Sequence, residues 1–373
     1  MTELPPAAQA VLGALSADPA TPAKVLITGG VGTGKSTVLA TIRDTLRAAG
    51  RTVRTRPGHP DGTPAATLVD DAQLLSDPQL RALTELAMDP TATVIVATEP
   101  REQHPELRAL MSAIERERPR ITLAPWSRPE VARRLATTDP EAMSDVMAVT
   151  AGLPFLVTAA AATGWAHDGP GRAVQAALTD RLRRLDADLL STLVLLSLTP
   201  GLGATDVAAA LQLPDDEAAD LVDRCHATGL LDPAHGMRFA AVVHRCATLV
   251  CGSVRHHAIE SALLHTQTEK DSLATDLALA LAEHGLRDAR LVDVLQDRAG
   301  LAGRPADTAR LLRAAVRGGA GGPDVELRLA EALALSGDCA AAAAVTDTLL
   351  GMDGAHRSAA VRIAASIATH DGN

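Results

Sequence analysis

The stretch LITGGVGTGKST, Leu26 to Thr37, decides the reading of the first half of the chain. Gly29, Gly34, Lys35 and Ser36 satisfy the pattern G-x-x-x-x-G-K-[ST], which gains meaning only between a strand and a helix. Both are expected here: KVLITG (24–29) reads as a strand, and STVLATIRDTLRAAG (36–50) as a helix closed by Gly50. A chain turning through glycines into a helix aims backbone N–H groups at phosphate oxygens, and the helix start adds partial positive charge. Gly29, Gly30, Val31, Gly32, Thr33, Gly34, Lys35, Ser36 and Thr37 are therefore the expected nucleotide contacts. Lys35 is expected to reach the β- and γ-phosphates, and the Ser36 hydroxyl to hold Mg²⁺.

Working outward, short apolar runs alternate with helical patterns. TVRTR (52–56), ATLVD (66–70), ATVIVAT (92–98) and RITLA (120–124) read as further strands, GHPDGTPA (58–65) as a loop, and DPQLRALTELAM (77–88) as a helix. Continuous apolar strands separated by helices predict an α/β fold, a parallel sheet covered on both faces, of the P-loop NTPase class. ATLVDDAQLL (66–75) places two acids at the mouth of a strand. Asp70 there suits Mg²⁺, usually through water, and Asp71 suits polarising an attacking water. Two acids after a strand also serve as helix caps, so the phosphate loop beside them carries the metal reading. The chain has neither N-K-x-D for guanine nor L-S-G-G-Q for a transporter cassette, so the expected cofactors are ATP or ADP with Mg²⁺.

From residue 126 onward the pattern is helical. SRPEVARRLA (127–136) reads as a helix capped by Ser127, RLRRLDADLLSTLVLLSL (181–198) as one long helix, and ATDVAAALQL and PDDEAADLVDRCHATGLL as two more. With MRF (237–239) as a short wing strand, the set predicts a winged helix. LAGRPADTARLL (301–312) aligns with LSGDCAAAAAVT (335–346), and Gly303 and Gly337 lie 34 residues apart, the tetratricopeptide period. The next turn projects near residue 371, in THDGN (369–373), so the chain is expected to be the front part of a longer protein or a truncated product. The expected division is a helical lead-in at 1–22, a P-loop NTPase domain at 23–137, an all-α helical domain at 138–180, a winged helix at 181–265 and TPR-like repeats at 266–373.

Composition narrows the function. Hydrophobic residues make up 47% of the 373, enough for packed cores. A net charge of −10 and 1% aromatics argue against holding nucleic acid, because phosphate needs a basic surface and single strands need stacking platforms. The helix expected within 214–224 carries five acids and one base, so direct DNA binding by it is not expected. The Arg cluster at 181–184 reads as a solvated face. Four cysteines suggest free thiols in a reducing cytoplasm, MTELPP is no signal peptide, and the uncharged run Met147–Ala166 holds too much Gly, Ala and Thr for a membrane span. HRCATLVCGSVRHH (244–257) collects His and Cys, but Cys246 and Cys251 are five apart, poor for one helix face, and no metal is expected there.

The order of these segments carries a resemblance. The acid pair, RITLAPWSRPEVARRL (120–135), AGLPFLV (151–157) and GLLDPAHGMRFAAVVHR (229–245) follow one another as in the signal-transducing ATPases with numerous domains, and most resemble the large ATP-binding regulators of the MalT and LuxR type. The similarity spans roughly residues 24 to 265, and the repeat arm fits the same architecture. It implies a switch in transcriptional regulation or signalling: ADP holds the domains closed, ATP with a small-molecule or protein inducer at the repeats opens them, and the ATP form self-associates. Gly152-Leu153-Pro154 matches the family's G-x-P, which implies that Pro154 lies against the adenine; a simple helix break is the alternative. Three departures stand out. PPAAQAVLGALSADP (5–19) lacks a G-R-x-x-E-like motif. Glu99 stands where an Arg often senses the γ-phosphate, leaving Arg101 or Thr98 as substitutes. Arg238, Phe239, Ala240 and Ala241 stand where R-F-x-H is usual, with His244 three residues further on. The competing expectations are an ATP-driven enzyme of the AAA type, a small-molecule kinase, for which residues 58–65 offer little, and a defence sensor of the same ATPase class.

Overall fold

The structure is a computed structural model and describes residues 4–56, 65–101, 103–137, 139–162, 171–351 and 353–370. The loop expected at 58–65 lies almost wholly outside these, as do residues 163–166 of the uncharged run and 371–373 of the C-terminal segment. The chain forms two compact units: Met1–Ser197 with Pro214–Cys251, and Leu198–Leu213 with Gly252–Asn373.

The first unit is built on five parallel strands, β1 (Lys24–Gly29), β2 (Thr52–Arg54), β3 (Ala65–Val69), β4 (Val94–Thr98) and β5 (Ile121–Leu123), in the order β2-β3-β4-β1-β5. β1 is central, with Lys24 beside Val94 and Ile27 beside Ile121. Its apolar run serves both faces by strict alternation. Val25 and Ile27 pack with α1 (Pro6–Ala17) and α2 (Lys35–Ala48) through Val11, Leu15, Val38, Ile42 and Leu46. Leu26 packs with α3 (Asp77–Met88) and α4 (Pro105–Glu115) through Leu80, Leu83, Leu107 and Leu110. Covered faces explain why the strands lack polar alternation, as expected.

Helices complete the unit: α5 (Arg128–Leu135), α6 (Pro140–Thr150), α7 (Pro154–Ala162), α8 (Gly171–Leu182), α9 (Ala187–Leu196), α11 (Asp215–Ala227) and α12 (Met237–Cys251). Ser127 opens α5 as expected, its N–H and hydroxyl both donating to Glu130 Oε2 at 2.7 and 2.6 Å. Two expectations are corrected. The long helix over 181–198 is two helices, because Asp186 Oδ1 accepts the Leu189 N–H at 2.8 Å and caps a new start. The wing strand at Met237–Phe239 is the first turn of α12. Gly236 reverses the chain at φ 78°, and Phe239, Val243, Cys246 and Ala247 then bury one helical stripe, a 3.6-residue period rather than 2.

The second unit is helical: α10 (Ala204–Leu211), α13 (Ser253–Glu269), α14 (Thr275–Glu283), α15 (Ala289–Leu301), α16 (Pro305–Arg317), α17 (Pro323–Leu335), α18 (Cys339–Leu350) and α19 (Ala355–His370). Gln267 Nε2 donates to Asp206 Oδ1 at 2.6 Å, tying α13 to α10. The hairpins α15–α16 and α17–α18 start 34 residues apart, at Ala289 and Pro323, and their second helices likewise at Pro305 and Cys339. Gly337, at φ 86°, makes the second hairpin's turn. Among the described residues no single helix is long and apolar enough to cross a membrane.

Candidate functional site: the phosphate loop and its acids

The loop runs from the C-terminal end of β1 to the start of α2, where Gly34 is the N-cap at φ 103°. That left-handed geometry strains any side chain, so the second fixed glycine of the motif is a backbone requirement. The first is a packing requirement: a Cβ at Gly29 would lie 2.6 Å from Thr33 Oγ1 and 2.7 Å from the Leu123 carbonyl oxygen. Lys35 is buried and folds back on the loop, its Nζ donating to the carbonyls of Gly29 and Gly30, each at 2.8 Å. Ser36 and Thr37 are exposed on the first turn of α2.

Asp70 and Asp71 follow β3. Asp70 is exposed, and its Oδ1 accepts the Asp71 N–H at 3.0 Å. Asp71 sits at φ 49°, a left-handed conformation costing roughly 1–3 kcal/mol in a non-glycine residue. Its carboxylate accepts no capping N–H from the 3₁₀ turn Ala72–Leu74 that follows, and Gln73 Nε2 instead donates to its Oδ1 at 3.0 Å. The Gln73 Oε1 lies 3.2 Å from Thr98 Oγ1 and accepts the Glu99 N–H at 3.1 Å. Gln73 thus latches the acid pair to the end of β4. Its only signal in the sequence is its place three residues after Asp70.

The charges act on one another. Burial holds Lys35 below the usual lysine range, against the attraction of Glu99, Asp71 and Asp70. Burial pushes the Glu99 carboxyl above the usual range, with Lys35 and Arg181 opposing and Asp71 adding to the rise. Glu99, noted in sequence as a departure, is therefore a member of the site. So is Arg181, at the C-terminal end of α8, whose charge acts on both Lys35 and Glu99 although its sequence neighbourhood reads as a solvated face. Arg101 lies at the edge of this cluster, its charge lowering Glu99 more weakly than that of Arg181. It is buried and ion-paired with Asp220, and its Nε lies 3.9 Å from Asp223 Oδ2, both on α11. Two of the five acids of that helix therefore hold an arginine of the first unit's own fold.

Distant segments converge on the glycines. The Val31 N–H donates to the Thr228 carbonyl at 2.7 Å, and a Cβ at Gly30 would lie 2.5 Å from that same oxygen. Thr228 is braced in turn, its hydroxyl donating to the Cys225 carbonyl at 2.6 Å and accepting the Leu230 N–H at 3.2 Å. The Phe155 ring covers Gly32 so closely that a Cβ there would lie 2.1 Å from its Cδ1. Pro154, buried at the start of α7, is thereby carried to the loop's neighbourhood by the residue after it. Gly152 holds the turn before, its carbonyl accepting the Trp126 N–H at 2.7 Å. His244 is buried on α12 with its Nδ1 2.9 Å from Ser197 Oγ.

No family model matches the chain, and no curated protein matches it. Two solved structures are similar at a distance. A variant of RuvB from Thermotoga maritima is 15% identical, with a TM-score of 0.37, covering 61% of this chain and 88% of that one. A signal transduction ATPase with numerous domains, with a tetratricopeptide repeat sensor, from Pyrococcus horikoshii is 12% identical, with a TM-score of 0.32, covering 98% of this chain and 64% of that one.

Proposed function

We propose that the chain is an ATP- and ADP-binding switch that hydrolyses ATP slowly, of the signal-transducing ATPase kind, with the repeat arm receiving an inducer. The observation that carries this reading is the tie between the loop and residues far from it in sequence: Val31 to Thr228, and Gly32 under Phe155. A loop that rearranges around phosphate pulls on both, so the nucleotide biases the position of α7 and of the turn after α11.

The donor set fits the ligand. Glycine N–H groups and the start of α2 suit phosphate, and the exposed hydroxyl of Ser36 with the carboxylate of Asp70 are oxygen donors suited to a hard cation such as Mg²⁺. When bound, Mg²⁺ would supply charge neutralisation at the β- and γ-phosphates. The chain's part is to turn Lys35 from its own loop carbonyls to the phosphates, to orient water with Asp71 held by Gln73, and to present Arg181 toward the added charge. Pro154 would lie against the adenine. The division expected from sequence, with 181–265 as a helical part without the wing strand, the self-association of the ATP form and a role in transcriptional regulation, without direct DNA binding by this chain, belong to the same proposal.

The test is to identify the nucleotide retained through purification and to measure steady-state turnover. Co-purified ADP with turnover well below about 1 per second is expected, since working enzymes run at about 1–1,000 per second. Fast turnover stimulated by a substrate would instead favour an AAA-type motor or a kinase.

A further inference from the structure

The second unit holds a cluster that the switch does not use. His256 and Glu260 sit one turn apart on α13, and His284 is the residue that ends α14. The Glu260 side chain is fully buried. Its Oε1 lies 2.9 Å from His256 Nε2 and 3.1 Å from His284 Nδ1. Its Oε2 is buried and has no hydrogen-bond partner among the described residues. His284 is about a quarter exposed, at 28%, so one side of the cluster opens to solvent.

We propose that His256, Glu260 and His284 form a binding site for a divalent transition ion of the zinc type, which clasps α13 to the end of α14. Three observations favour an ion. The donor set, two imidazole nitrogens and one carboxylate, is the set that suits zinc and its neighbours and is unlike the all-oxygen set that suits Mg²⁺. The spacing fits: tetrahedral bonds of about 2.0–2.1 Å put neighbouring ligand atoms about 3.3 Å apart, close to the 2.9 and 3.1 Å found here. A buried carboxylate with one oxygen lacking a hydrogen bond is costly unless a cation completes it. The exposed edge of His284 gives the ion an entry path. In HRCATLVCGSVRHH the cysteine spacing speaks against metal; the ligands instead are the His-x₃-Glu step that begins at its end and a histidine 28 residues beyond His256.

The test uses the full chain without a histidine tag, stripped by chelator dialysis and saturated with Mg²⁺ and ADP so that the phosphate loop is not titrated. Zn²⁺ affinity is measured by competition with a chromophoric chelator, and Co²⁺ is added as a spectroscopic probe. One equivalent bound at micromolar affinity or tighter is expected, with visible Co²⁺ bands of a four- or five-coordinate nitrogen–oxygen site. His284→Ala and Glu260→Gln should each weaken Zn²⁺ binding by about 100-fold, and Lys35→Ala should leave it unchanged. His284→Ala removes a partly exposed side chain at a helix end and keeps the test open should Glu260→Gln fail to fold. Absence of stoichiometric binding would overturn the proposal and leave a hydrogen-bonded His–Glu–His set. Unchanged affinity in His284→Ala, or a thiolate charge-transfer band with Co²⁺, would also overturn it, the band assigning the metal to cysteine.

Discussion

Two charged clusters, one in each unit, answer the same problem in opposite ways. Around the phosphate loop the charges are left under-compensated: burial lowers Lys35 and raises Glu99, and their mutual attraction only partly offsets this. In the helical unit burial also works against Glu260, but hydrogen bonds from His256 and His284 outweigh it and hold the carboxyl below its usual range. The loop keeps its lysine on backbone carbonyls, whereas the helical cluster sets a carboxylate directly against two imidazoles. The difference teaches which cluster is arranged to change partners. On the function proposed above, the loop is that cluster, since groups with perturbed ionisation gather where a ligand is bound.

The comparison can be broken at several points. The largest effect is expected from Lys35→Ala, which should weaken ADP binding by about 100-fold, or about 3 kcal/mol; calorimetric titration showing unchanged affinity would refute the loop assignment. Next is Arg101→Ala. It strips the guanidinium from Asp220 and Asp223 and should destabilise the first unit by about 2 kcal/mol in denaturant titration, since a partly buried charge-assisted hydrogen bond is lost. It should leave nucleotide affinity within about twofold after correction for folding. A large loss of affinity would return Arg101 to the role of phosphate sensor that sequence allowed it. Arg181→Ala should reduce ATP affinity more than ADP affinity, by about tenfold, because its charge already acts on Lys35 and Glu99; equal affinities would show that it faces solvent. The smallest effect concerns pH. Glu99 has a raised folded pKa, so its ionisation opposes folding. That cost is absent below the ordinary carboxylate pKa and fully present above the raised one. Glu99→Gln should therefore gain stability relative to the parent as pH rises through that window, read as a growing difference in Tm between pH 4.5 and 7.5. A difference that stays flat would mean that Lys35 fully compensates Glu99.

Much of the first unit was legible because its determinants are local. The strand, the glycine turn and the start of α2 are contiguous, and the bounds expected for α3 match those found, Asp77–Met88. The 34-residue period placed both hairpins for the same reason: each repeat is read against its own copy. Where reading failed, a single residue reset the chain. Asp186 restarted a helix that leucine spacing alone would continue, and Gly236 with the buried Phe239 turned an expected wing strand into helix α12.

By itself, then, the sequence determined the parallel α/β sheet, the phosphate loop, the acids after β3 and the helical repeats, because backbone geometry and hydrophobic period are properties of neighbours along the chain. Tertiary structure alone decided what surrounds them. It put Phe155 on Gly32, Thr228 on Val31, Gln73 between Asp71 and Glu99, and Arg101 on the acids of α11. It also brought His284 to Glu260 across 24 residues of chain. Those contacts join residues whose separation carries no period or spacing rule. Packing fixes them, and packing depends on every core residue at once.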